Sequence, residues 1–173
     1  MGASGWSYYT DYRPDLNAAF EALQLRVLDE GDYWWAVPGE MGKSAADFPD
    51  RPRTMDELWD DEAVQESGTH SIIDMDRVLA DGEEPQYGYL PYLDDPSLSF
   101  QQAVQRFGEP EYGVIVPISP AEARAAAGVE KLTRAHVEAL DDLAEHRWIG
   151  RVAVLHGDDG LPSELYFFGF SGD

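Results

Sequence analysis

The stretch His70-Ser-Ile-Ile-Asp74-Met-Asp76 puts an imidazole and two carboxylates within seven residues, at the end of an apolar run. A hard divalent cation takes oxygen ligands, and alternate residues of a strand face the same way. Asp74 and Asp76 at i and i+2 could therefore hold Mg²⁺ or Mn²⁺, with His70 joining them only if one unbroken strand carries all three. The plainer reading makes both acids caps or solvated residues of the turn after that strand. A second stretch, Trp34-Trp-Ala-Val-Pro-Gly-Glu-Met-Gly-Lys43-Ser44, comes close to the loop that cradles nucleotide phosphates. That loop needs Gly-x4-Gly-Lys-Ser/Thr and then a helix whose N-terminus faces the phosphates. Val37 stands where the first glycine belongs, Gly39 comes two residues late, and Pro49 and Pro52 preclude a long helix after Lys43. The expectation is a turn after a strand, with no nucleotide bound.

The Asp74-x-Asp76 pair resembles the Asp-x-Asp of many glycosyltransferases, whose acids bind a divalent ion on a nucleotide-sugar diphosphate. It superficially resembles the catalytic strand of haloacid-dehalogenase phosphatases too, but Arg77-Val78 follows where those proteins have Gly-Thr. What the resemblance implies is a small metal-dependent hydrolase or transferase using His70, Asp74 and Asp76. Other chemistry finds little support. With no cysteine there is no disulfide, thiol nucleophile or thiolate metal site. No His-x3-His, His-Glu-x-x-His or Gly-x-Ser-x-Gly pattern occurs. His136 and His146 are ten residues apart, which leaves roughly 80° between them around a helix. His156 precedes the turn Gly-Asp-Asp-Gly and is expected to serve it.

Charge and aromatics carry the remaining signal. Thirty-four acidic residues oppose 12 basic ones, a net charge of −22, which repels nucleic acid and anionic membrane and attracts basic proteins. Solubility and codon bias explain the same balance without a partner. The pairs Tyr8-Tyr9, Trp34-Trp35 and Phe167-Phe168 lie on expected strands, where period two sends one ring inward and one outward. The outward members, Trp34 or Trp35 and Tyr8 or Tyr9, are the candidate anchors for a protein partner. No apolar run approaches the roughly 18–20 residues that span a bilayer, and no signal peptide opens the chain, so a cytoplasmic location is expected.

The elements that would position these residues alternate along the chain. Strands are expected at 5–12, at Asp32–Val37, at Thr69–Asp74, at Tyr87–Leu93 with its Pro91, and at Tyr112–Ile118. Helices are expected from Asp15 to Gly31, from the Thr54–Glu57 cap to Gly68, before Gly108, between Ser119 and Gly128, and after Thr133. Asp159-Gly160 marks a C-terminal β-hairpin. The repeated Glu-Pro-x-Tyr-Gly at 84–88 and 109–113 suggests a pair of parallel strands joined by the helix between them. Residues 1–173 are thus expected to form a single α+β domain, with a mixed or mostly antiparallel sheet and helices packed mainly on one face.

In type, a small, acidic, aromatic-rich, cysteine-free chain is similar to bacterial antitoxin, immunity and inhibitor proteins. That likeness implies a non-enzymatic cytoplasmic binding protein that neutralises or regulates a basic protein, with no nucleic acid, no membrane and no cofactor. The metal-dependent enzyme is the alternative from a different class, and a domain of some further role is the third.

Overall fold

The computed structural model describes residues 4–37 and 43–171. A five-stranded mixed sheet runs through it in the order β1-β5-β4-β3-β2, with β1 Gly5–Asp11, β2 Arg77–Val78, β3 Val114–Pro117, β4 Ile149–His156 and β5 Pro162–Phe170. β2, β3 and β4 run parallel, while β5 pairs antiparallel with both β4 and β1. The expected α+β class, mixed sheet and C-terminal hairpin are all present, but helices cover both faces of the sheet rather than mainly one. β4 sits centrally and is buried on both sides, as a strand covered on both faces must be, with Arg151 its buried charge.

One face carries the long helix α1 (Leu16–Glu30). The Asp15 side chain accepts from the Ala18 N–H at 3.0 Å to start it, and Gly31 closes it in the left-handed conformation. Its Phe20, Leu23 and Val27 pack on Trp6, Val152, Leu165 and Phe167, with Ile72 and Ile73 beside them. The Trp6 ring lies so close to β4 and β5 that a Cβ at Gly150 or at Gly169 would come within 2.8 Å of it. Two short helices, α2 (Met55–Trp59) and α3 (Glu62–Ser67), add Leu58 and Val64 to this core.

The other face is covered by α4 (Phe100–Phe107), by α5 (Pro120–Ala127) and by a 3-10 segment, Arg134–Leu143. Ala123, Leu132 and Leu140 meet Leu155, Tyr166 and Phe168 there, and Ala103, Tyr89 and Leu90 meet Val114 and Ile149. Both Ser119 and Ser99 make the reciprocal capping boxes that start α5 and α4.

Five expected elements differ, the first being the helix expected from Thr54 to Gly68, which breaks at Asp60-Asp61 into α2 and α3 because Asp61 caps a new start. Asp32–Val37 makes no strand: Trp34 bridges only Ser44, and its N–H donates to the Thr69 carbonyl at 2.9 Å. Thr69–Asp74 makes no strand either. The Ser71 hydroxyl accepts from the Ile73 N–H at 3.2 Å, and these local side-chain bonds fold Ile72–Asp74 into a 3-10 turn. Tyr87–Leu93 forms a 3-10 turn at Leu90–Tyr92 because Pro91 cannot donate to a ladder. The segment after Thr133 is 3-10 rather than α-helical. The partner of β3 is accordingly β2, with α4 crossing between them. The two Glu-Pro-x-Tyr-Gly repeats instead pack against each other: the Glu111 N–H donates to the Gln86 carbonyl at 2.8 Å, and Gly88, at φ +50°, leaves only 2.5 Å between a would-be Cβ and the Glu109–Pro110 peptide.

Candidate functional site

The residues singled out by sequence separate into distinct places. His70 sits at φ +52°, stacked under Trp34 with ring centroids 4.3 Å apart and its Nδ1 3.2 Å from the Ser4 hydroxyl. Tyr8 lies beside this pair and donates to the Asp32 carbonyl at 3.2 Å; burial, and then the Asp32 carboxylate, raise its pKa. Trp34, His70, Tyr8 and Lys43 thus share a cleft of about 370 Å³. Trp35 is elsewhere, its Nε1 donating to the Asp61 carboxylate at 3.1 Å and its ring meeting Phe48 edge-on. Tyr9 is on the opposite face of β1, against Tyr166 at 4.8 Å and beneath the Arg134 guanidinium at 4.2 Å. All four aromatic candidates are half-buried.

After Lys43 the chain makes only the short 3-10 turn Ala45–Asp47, capped by Ser44, which is no phosphate-binding helix. The glycines of the candidate phosphate loop, Gly39 and Gly42, lie outside the described residues.

The carboxylate pair is divided. Asp74 turns inward, where its Oδ1 accepts from both the N–H and the hydroxyl of Thr69 at 2.7 Å. Burial pushes the Asp74 pKa up, with the Thr69 hydrogen bonds acting the other way. Asp76 is exposed, and its N–H donates to the Gly113 carbonyl at 2.6 Å. The missing strand is the reason: a 3-10 turn ending at Asp74 does not send positions 74 and 76 the same way. Among the described residues no three His, Asp or Glu groups stand close enough together to hold a metal ion.

Sequence reasoning missed a group of exposed aromatic and apolar side chains carried by the 3-10 turn at Leu90–Tyr92, α4 and the segment before β3. Phe100 is 59% exposed and Leu93 50%. Phe100 packs edge-on to Tyr89 at 5.1 Å, the Tyr89 and Tyr112 hydroxyls are 2.9 Å apart, and Tyr112 meets Trp148 at 5.6 Å. Tyr92 stacks on Phe107 at 3.6 Å, which carries the Arg106 guanidinium on its ring. Exposed Asp94 and Glu109 flank this surface, and the Tyr112 hydroxyl donates to Glu109 at 2.8 Å. The available signal was Asp94-Asp95-Pro96 directly after Tyr92-Leu93, which makes a buried strand implausible there. No protein-family model, curated protein or solved structure matches the chain.

Proposed function

We propose that the protein is a non-enzymatic binding protein that docks a basic protein on the aromatic face formed by Tyr92, Leu93, Phe100 and Tyr112. An immunity- or antitoxin-type inhibitor is the biological role this reading favours. The observation that carries it is one surface on which large exposed apolar side chains adjoin carboxylates, on a chain of net charge −22. Rigid aromatic anchors supply affinity at such interfaces, and charge supplies encounter rate and partner choice. The half-buried Trp34, Trp35, Tyr8 and Tyr9 already pack on neighbours, which favours the α4 face over them as the anchor.

The test is capture of partners from lysate at low and at moderate salt, identification by mass spectrometry, and kinetics with the purified partner. Phe100→Ala should speed dissociation by the equivalent of about 2 kcal/mol, as truncating an interface anchor does. Leu161→Ala, which removes an equally exposed apolar side chain from the far hairpin, should not. The association rate should fall steeply with ionic strength while dissociation changes little. Capture of only generic basic proteins, all released by moderate salt and indifferent to Phe100→Ala, sinks the proposal.

A further inference from the structure

A cavity of about 200 Å³ opens beside the aromatic face, lined by Trp59, Val64, Glu66, Gly68, Asp74 and Trp148. Trp59 ends α2 and is 41% exposed. Trp148 is held at φ +67°, a conformation rare for a bulky residue, by hydrogen bonds on both sides: its carbonyl accepts from the Gly113 N–H at 3.0 Å and its N–H donates to the Phe170 carbonyl at 3.2 Å. Strained backbone of this kind persists only where the surroundings over-determine it, and it concentrates at binding sites. The Asp74 carboxylate reaches the cavity. Its Oδ1 takes the bonds from Thr69, and both carboxylate oxygens face Gly68, Oδ2 at 3.2 Å and Oδ1 at 3.3 Å from where a Cβ at 68 would sit. Gly68, at φ +68°, keeps that approach open, since a side chain there would be strained and would crowd the carboxylate.

Two indoles and a half-buried carboxylate around a small cavity match the chemistry of an organic cation. Indole is the best aromatic face for an ammonium, and the attraction grows as water is excluded. The volume suits one side chain and falls short of the roughly 300 Å³ at which pockets for drug-sized molecules begin. Burial raises the Asp74 pKa, and an arriving positive charge would act in the same direction as the Thr69 and Ser71 hydrogen bonds and His70, which already favour the carboxylate. Trp148 touches Tyr112 edge-on, so the cavity adjoins the proposed docking face.

We infer that this cavity receives a single lysine ammonium from the docked partner, flanked by Trp59 and Trp148 with Asp74 as counter-charge. The inference rests on the docking reading above for the source of the lysine, but its test needs no partner. The full chain is titrated with millimolar Nα-acetyl-lysine amide, and separately with its neutral Nε-acetylated form, while the indole N–H signals are followed by NMR. The Trp59 and Trp148 signals should shift saturably with the cation and stay still with the neutral compound. Asp74→Asn should weaken that binding about fivefold or more, in line with the loss of a partly desolvated charge contact. Trp59→Ala, at an exposed position that leaves the core intact, should weaken it similarly, read at Trp148. Absence of saturable shifts, shifts that the neutral compound reproduces, or binding that survives both substitutions overturns the cage. Failure of Phe100→Ala to weaken a purified partner, with the cation titration intact, overturns the docking face instead.

Discussion

At Asp74, one carboxylate oxygen closes a turn that the alternative, metal-dependent reading had given to a cation. Thr69 is fully buried, so Asp74→Ala should strand its N–H, while its hydroxyl keeps the Ser71 hydroxyl at 2.8 Å, and cost about 1–3 kcal/mol in chemical denaturation. Asp74→Asn keeps an oxygen in the Oδ1 position and should cost much less. A metal held by Asp74 and Asp76 would stabilise by mass action, about 2.7 kcal/mol at a hundredfold excess over its dissociation constant. Mg²⁺ and Mn²⁺ should instead raise the melting temperature no more than NaCl of matched ionic strength, and equally in the Asp74→Asn/Asp76→Asn variant. A rise specific to the native chain would restore the hydrolase or transferase reading.

Elements are joined by a single ion pair where α5 meets the sheet. Arg151, on β4 and 6% exposed, donates to the Val116 carbonyl at 3.3 Å, to the Leu143 carbonyl at 3.2 Å and to Glu122 Oε1 at 2.6 Å. Glu122 Oε2 meanwhile accepts the N–H and hydroxyl of Ser119, so one carboxylate both caps α5 and ties it to β4. Burial pushes the Glu122 pKa up, but the Arg151 guanidinium and the Ser119 donors outweigh it, and the result lies below the ordinary 4.5. A depressed carboxylate contributes stability above its unfolded pKa and loses it as pH falls through the folded one. Stability should therefore decline on acidification below about pH 4.5, and Glu122→Gln should flatten that decline, seen as urea midpoints at stepped pH. Equal slopes for native chain and variant would show that the pair is not coupled to folding. Arg151→Met should cost about 3 kcal/mol, the low end for breaking a buried pair because Glu122 retains some water contact.

Over the whole molecule, 34 acids share 12 bases, and several of those bases are already engaged: Arg77 with Glu83 and Glu111, Arg134 with Glu164, Arg151 with Glu122. The excess charge repels itself across the folded surface, and salt shortens its reach from about 30 Å at 0.01 M to about 8 Å at 0.15 M. The melting temperature should rise over that range of NaCl, measured by calorimetry. The same salt should slow association with a basic partner. A melting temperature indifferent to salt would mean that local ion pairs already balance the charge, and would weaken the electrostatic half of the docking proposal.

Local chemistry was enough to determine α1, α4, α5 and the β4–β5 hairpin. Asp15, Ser99 and Ser119 cap their own helices, Gly31 and Gly128 stop theirs, and the β4 and β5 residues alternate between two cores. These signals act within a few residues, so they can be read along the chain. Tertiary structure decided which apolar runs pair. Trp34-Trp35, Ile72-Ile73 and Tyr89-Leu90 have strand composition, yet their backbone groups are taken by Thr69, by the Gln24 amide and by Gly108 before any ladder can form. Once those strands became turns, Asp74 and Asp76 parted, His70 came to rest under Trp34, and Phe100, Tyr112 and Trp148 met across 49 residues of chain. Which rings face water depends on what packs over them from distant segments, and no periodicity within one segment records that.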